Sequence, residues 1–321
     1  MKTILLTGCA GFIGSNLLIK LLSEGYYVVG LDNLCETYNP SWKLENIALS
    51  KINKRFSFIK GDILDSALLK MISSKFNVDI VVHAAAKTGV RSSIQNPSIY
   101  EEVNVRGTLN MLEYSRLNNI KKFIFISSSS VYGNYTEAPF KESSNVCNPI
   151  SPYAASKIAG ELFVFSYSHI YKLPSICLRL FTVYGPSGRP DMVPYLLTDA
   201  VFNNKPFTQF GNGKSARDYT YISDIIDGII SATNYNCKFD IINLGHSNPV
   251  QLKKLICLIE KIVGRPAMIN RIHAQLGDVQ LTHADISKAK ILLNYSPRVD
   301  LEDGLKLFVR WYFNKCQQSL H

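Results

Sequence analysis

No apolar run in this sequence is long enough to span a bilayer, and with an apolar stretch already at Ile4 no leader segment is expected. A membrane role is therefore not expected, and a cytoplasmic setting is. There is also no internal repeat, low-complexity tract or long linker, which excludes solenoids, fibres and disordered adaptors. The cysteines are odd in number, Cys9, Cys35, Cys147, Cys177, Cys237, Cys257 and Cys316, and no two have zinc-ligand spacing. Reduced thiols are the expectation. Six histidines form no metal motif, so no metal is expected. Acidic residues are scarce beside basic ones, 25 against 35, giving a formal charge of +10. That excess is diffuse and lacks a basic-aromatic stripe, so nucleic acid is not an expected partner. It suits either a merely solvated surface or a field that draws in an anionic small molecule.

What is present begins at once. Ile4–Asn16 reads I-L-L-T-G-C-A-G-F-I-G-S-N: an apolar run, three glycines, then a helical pattern. Strand, glycine-rich turn and helix together make a dinucleotide crevice. Glycine lets backbone approach a pyrophosphate, and the helix start presents free N–H groups to it. Gly8, Gly11, Phe12, Ile13 and Gly14 are the candidate cofactor contacts here. A glycine triplet alone also punctuates ordinary turns, so context decides. The next apolar run, Tyr27–Leu31, ends at Asp32 and Asn33, about twenty residues on, where an acid bonds the adenosine ribose. No arginine follows immediately, which favours NAD over NADP.

Strand and helix signals alternate through the first two-thirds. Apolar β-rich runs at Phe56–Ile59, Ile80–His83, Phe123–Ser127 and Ile176–Phe181 are separated by helical periodicity, as at Val103–Leu117 and Ala154–Ile170. The pattern predicts an α/β fold, a doubly wound parallel Rossmann sheet with ligands at the strands' carboxyl edge. A smaller, mostly helical second domain is expected to close over it. The expected boundaries are 1–181 plus 220–248 for the cofactor domain and 182–219 plus 249–321 for the substrate domain. Loops after the strands add Asp62 and Ile63, where an acid can accept from an adenine amino group. They also add Ala84, Ala85 and Ala86, whose small side chains suit either a flat cofactor or close strand–helix packing.

The sharpest chemical signal is Tyr153-Ala154-Ala155-Ser156-Lys157. Residues i and i+4 share a helix face, and an ammonium beside a phenol favours the phenolate. A serine-rich strand end, Ser127–Ser130, precedes it.

These residues resemble the extended short-chain dehydrogenase/reductases, in the nucleotide-sugar epimerase/dehydratase branch. The motifs are T-G-C-A-G-F-I-G, Asp32, G-D-I, H-A-A-A, Asn104–Thr108, S-S-V-Y-G, Y-A-A-S-K and R-D-Y-T-Y-I-S-D from Arg217, spread over almost the whole chain. The resemblance implies NAD as cofactor and Ser128, Tyr153 and Lys157 as catalytic residues. It implies Asn104 close to the cofactor site, Arg217 on a nucleotide-sugar diphosphate and Asp278 on a uridine ribose. Leu276 stands where many relatives have proline. It also implies a homodimer built on a helix pair of the first domain.

Dehydratases of this branch carry Asp-Glu just before V-Y-G, and decarboxylating members a glutamate. Ser129 and Ser130 stand there instead and cannot do that acid–base work. A 4-epimerase remains. Thr182 followed by G-R-P-D-M at 188–192, with Gly89-Val90-Arg91, resembles the subgroup that converts UDP-glucuronate to UDP-galacturonate. Arg189 offers a planar fork suited to a carboxylate, with Thr182 and Arg91 nearby. The alternatives are an Arg189 that is only a surface loop residue, and a neutral UDP-hexose as substrate. A net keto-reductase and a catalytically dead NAD-binding regulator also remain, and the intact Ser128, Tyr153, Lys157, Arg217 and Asp278 argue against both.

Overall fold

A computed structural model describes residues 1–134, 136–273 and 279–318. Its strands are β1 (Thr3–Thr7), β2 (Tyr27–Asp32), β3 (Phe56–Lys60), β4 (Ile80–His83), β5 (Lys122–Ser128), β6 (Ser175–Leu180), β7 (Thr182–Tyr184), β8 (Pro206–Phe210), β9 (Ala216–Tyr221), β10 (Phe239–Leu244), β11 (Pro249–Gln251) and β12 (Met268–Ile272). Seven of them form one sheet in the order β10-β6-β5-β4-β1-β2-β3. Every pairing in it is parallel. The doubly wound sheet expected from the alternation is thus present.

Period-2 alternation explains its two buried faces. Ile4, Leu6, Ile124 and Ile126 point one way, onto the helices Phe12–Ser23 and Ile222–Asn234. Leu5, Val81, Phe123 and Phe125 point the other way, onto Ile72, Met111, Leu112 and Val164. The strand order reverses between β1 and β4, so their carboxyl ends open the crevice there. His83, at the end of β4, is wholly buried between two hydroxyls, Nδ1 at 2.8 Å from Thr7 Oγ1 and Nε2 at 3.1 Å from Thr108 Oγ1. Burial, with help from the Lys157 charge, pushes its pKa down to about 3 and keeps the ring neutral.

The chain leaves this sheet after β6 and returns to it through the helix Ile222–Asn234 and β10. Outside it lie the small sheets β11-β9-β7 and β12-β8 and the helices Val193–Phe202, Leu252–Val263, Ser287–Leu293 and Leu301–Gln318. The tail from Leu252 is less uniformly helical than its sequence suggests, because Met268–Ile272 pairs in parallel with β8. Buried Asp218 gathers the loops of this region: its carboxylate accepts N–H groups from His246 (2.8 Å), Ser247 (3.0 Å) and Ala284 (2.9 Å). An acid that satisfies several backbone donors is a structural hub, and it fixes its neighbour Arg217 at the cleft.

Candidate active site

A cleft of about 420 Å³ runs along the carboxyl edge of the large sheet. Gly8, Gly11, Phe12, Ile13, Gly14, Asp32, Asn33, Asp62, Ile63, Ala84, Ala85 and Ala86 all line it. The glycine turn is as tight as its sequence implies. Gly8 has φ +71°, and a side chain on Gly14 would lie 2.0 Å from the Gly8 carbonyl. Asp32 holds the turn from the next strand, accepting from Ala10 N–H at 3.0 Å and Leu34 N–H at 2.8 Å. A carboxylate has about four acceptor sites, so acceptor capacity remains for ribose hydroxyls. Asp62 accepts from Asn33 Nδ2 at 2.7 Å and Leu64 N–H at 2.9 Å, which ties two of the cleft loops together. Backbone exposed at a glycine turn, a helix start and a carboxylate at the end of β2 fit a dinucleotide.

The catalytic candidates meet in the same cleft. Ser151 caps the helix Pro152–Tyr171, and Tyr153, Lys157 and Glu161 follow at four-residue intervals along one face. Lys157 is buried and donates from Nζ to the Ile126 carbonyl at 2.8 Å. Burial lowers its pKa to about 8, against the pull of Glu161, so at neutral pH it stays largely cationic. Tyr153 is half-buried against the cleft wall. Burial raises its phenol, while a hydrogen bond with Ser128 and the Arg189 charge draw it back down. Ser128 Oγ also accepts the Ser130 N–H at 3.2 Å. Behind these groups Arg179 grips Glu161 through Nε (2.9 Å) and Nη2 (2.7 Å), and Ser127 donates to the same carboxylate at 2.5 Å. This buried network ties β5 and β6 to the helix that carries the phenol.

Across the cleft stand Thr182, on β7, together with Arg189 and Arg217. Arg189 lies in a turn just before the helix Val193–Phe202, closed by Met192 N–H donating to its carbonyl at 3.2 Å. Its side chain is only 17% exposed, so it is not a plain surface loop residue. Its Nε donates to Asp191 Oδ1 at 2.9 Å and its Nη2 to Oδ2.

Three expected contacts stand apart. Arg91 is exposed outside the cleft lining, with its guanidinium 4.1 Å over the Phe210 ring of β8. Asn104 is buried and does not line the cleft either. Its Oδ1 accepts Lys87 N–H (2.7 Å) and its Nδ2 donates to Lys87 O and Ser156 Oγ (both 2.9 Å), so it positions the loop after β4. It sits in a wide-spiralled segment, Glu101–Arg106, a short π-helix that tightens to α at Gly107. Asp278 lies outside the described residues.

The sequence reading missed the loop after β2, where Cys35, Thr37, Tyr38 and Lys43 fold back onto the cleft. Lys43 Nζ donates to Cys35 O at 2.8 Å and Cys35 Sγ at 3.1 Å. The Tyr38 hydroxyl and Ser130 Oγ are buried at the cleft and have no hydrogen-bond partner among the described residues, so the cleft holds polar atoms with capacity for a ligand. Tyr100, edge-on to Tyr153 with ring centroids 6.1 Å apart, backs the phenol from outside the lining. A tyrosine four residues before Asn104 on a helical run is the one signal that would have found it.

Three comparisons bear on this geometry. The family model described as GDP-mannose 4,6 dehydratase matches residues 5–308. A UDP-glucuronate 4-epimerase of Thermodesulfobacterium geofontis is 41% identical over 308 residues, covering 96% of this chain and 95% of that protein. Among solved structures, UDP-glucuronic acid 4-epimerase from Bacillus cereus, in complex with UDP-glucuronic acid and NAD, matches with TM-score 0.92 at 38% identity, covering 98% of this chain and 99% of that one. UDP-glucose 4-epimerase from Thermotoga maritima, with UDP-glucose, matches with TM-score 0.91 at 31% identity, covering 98% and 99%.

Proposed function

Because the chain belongs to the GDP-mannose 4,6-dehydratase family, we propose that it is an NAD-dependent isomerase that inverts C4 of a UDP-sugar, UDP-glucuronate to UDP-galacturonate, through a 4-keto sugar. The observation that carries this reading is one cleft lined by a dinucleotide cradle, the Tyr153–Lys157–Ser128 set and the side chain of Arg189. The 41% identity to a UDP-glucuronate 4-epimerase supports the choice of sugar.

Bound NAD supplies a reversible hydride acceptor at sugar C4. Gly8, Gly11, Phe12, Ile13, Gly14 and Asp32 would hold its adenosine and diphosphate, with Asn33, Asp62, Ile63 and Ala84 to Ala86 around the adenine and nicotinamide ends. Tyr153 Oη takes the C4 hydroxyl proton and later returns it to the same oxygen. Lys157 and the positive cofactor ring hold the phenolate form, and Ser128 bridges the sugar oxygen and the phenol. Serines at 129 and 130 offer no carboxyl group at those two positions to drive elimination at C5–C6, and Glu161 beneath them is held by Arg179, so the keto sugar is only reduced again. Reduction on the opposite face requires the ring to turn about its diphosphate while the nucleotide stays fixed, which is the role of Arg217. Thr182 and Arg189 read the C6 carboxylate. They keep its bond to C5 out of line with the carbonyl π system, the alignment in which a β-keto acid loses carbon dioxide.

A second reading, a neutral UDP-hexose, draws on the Asp191 carboxylate already seated on Arg189. Incubation of the purified protein with UDP-glucuronate, UDP-glucose and UDP-N-acetylglucosamine, followed by separation of C4 epimers, decides between them. Conversion of UDP-glucuronate without added NAD is expected, and conversion of neutral hexoses alone would replace it.

The expected assembly is a homodimer. Leu162, Phe165 and Ile170 on the helix Pro152–Tyr171 are 62, 50 and 62% exposed, and Leu117 at the end of the adjacent helix Gly107–Leu117 is 64% exposed. An apolar two-helix face of this kind suits a second copy. A cytoplasmic setting agrees with seven unpaired cysteines.

A further inference from the structure

Arg189 and Asp191 are two residues apart in one tight turn, and their pairing raises a question that the choice of sugar depends on. A guanidinium has five N–H donors, arranged on two edges that can each grip a carboxylate. Asp191 takes the Nε/Nη2 edge. The Nη1 group and the second Nη2 proton are turned away from it. Exposure orders the pair: the Arg189 side chain is 17% exposed within the cleft, whereas Asp191 is 50% exposed. Tyr153 lies on the Arg189 side, where the guanidinium charge reaches its phenol. Arg189 and Tyr153 both line the cleft, and the more exposed Asp191 stands outside that lining. An ion pair this exposed adds little to stability, so its geometric effect on the fork outweighs its energetic one.

We propose that Asp191 is the positioning residue of the carboxylate reader: by clamping one edge of Arg189 it presents the other, end-on, to the C6 carboxylate of the sugar. Asp191 is thereby a permanent brace and not a decoy that substrate must expel. The inference rests on UDP-glucuronate being the substrate and adds to it the origin of selectivity for an acidic over a neutral sugar. The brace fixes the plane of the fork before substrate arrives, so little side-chain freedom is lost on binding.

The brace and the decoy predict opposite signs. If Asp191 braces the fork, Asp191→Ala raises the KM for UDP-glucuronate about tenfold, the scale of one charged hydrogen bond. The kcat then stays within threefold, and the KM for UDP-glucose shifts by less than threefold. Asp191→Asn, which keeps one oxygen acceptor, falls between wild type and Asp191→Ala. Retention of NAD and an unchanged melting temperature show that the variants are folded. A KM for UDP-glucuronate that falls makes Asp191 a competitor and overturns the proposal, and one that stays within twofold makes it a bystander and does the same. The premise is tested separately by the wild-type protein. If wild type converts UDP-glucose but not UDP-glucuronate, the substrate reading fails and takes this inference with it. A wild type active on UDP-glucuronate with an unmoved Asp191→Ala removes this inference alone.

Discussion

The two walls of the cleft are built on different principles. On the cofactor side the contacts are mostly backbone and short-range: a glycine turn, a helix start, an i/i+4 pair on one helix. On the Arg189 side they are long side chains on loops, held by pairs such as Arg189–Asp191 and hubs such as Asp218. On the proposed reading the first wall carries chemistry that any C4 hydroxyl would undergo, and the second decides which sugar is presented to it. Solved structures named for UDP-glucuronic acid and for UDP-glucose share this fold, with TM-scores of 0.92 and 0.91.

The division is open to direct attack. Tyr153→Phe removes only the proton-accepting oxygen and should cut kcat by ~10²–10⁴ for every accepted sugar while NAD stays bound. A loss confined to one sugar would erase the distinction between the walls. Arg189→Ala should raise the KM for UDP-glucuronate about tenfold or more and leave UDP-glucose far less affected. Equal losses for both sugars would move Arg189 to the chemical wall. The same variant has a pH signature. The Arg189 charge draws the Tyr153 phenol down, so without it the phenolate forms at higher pH. The acidic limb of kcat/KM, measured with a neutral sugar, should shift upward. A third experiment tests the sheet beneath the chemical wall. His83 is held neutral at about 3, below its unfolded value near ~6.5, so protonation favours unfolding. Its stabilisation is complete above that unfolded value and is lost as pH falls toward the folded one. Between pH 7 and pH 5 the wild type should lose about 2 kcal/mol that His83→Gln does not lose. Parallel urea midpoints for the two proteins over that range would rule His83 out.

The same contrast explains what was readable from the sequence. Gly8, Gly14, Tyr153 and Lys157 were legible because one turn of backbone fixes each relation. The strands β4 to β6 were legible because burial on both faces demands continuous apolar runs. Side chains that reach across were not. Arg91 rests on Phe210, more than a hundred positions away in the sequence, and nothing local marks that stacking. The loop from Cys35 to Lys43 returns to the cleft by tertiary packing, with Trp42 stacked near Tyr195 at 5.8 Å. β12 escaped notice because M-I-N-R-I is half polar and largely exposed, and only its pairing with β8 makes it a strand.

The wide spiral at Glu101–Arg106 has a consequence of its own. An α-helix turns about 100° per residue, and a π-turn is what one additional residue leaves in such a helix. The orientation of Tyr100, upstream of the spiral, relative to Thr108, downstream of it, is therefore set by how many residues lie between them more than by which ones. Taking out a single residue would let the segment relax to a regular helix and swing Tyr100 and its hydroxyl, now 2.9 Å from the Thr88 carbonyl, about a quarter-turn away from Tyr153. Point substitutions along 101–103 leave that count intact. Length, not composition, is the inherited quantity in this stretch, and insertions or deletions there should be far rarer among active descendants of this chain than changes of residue.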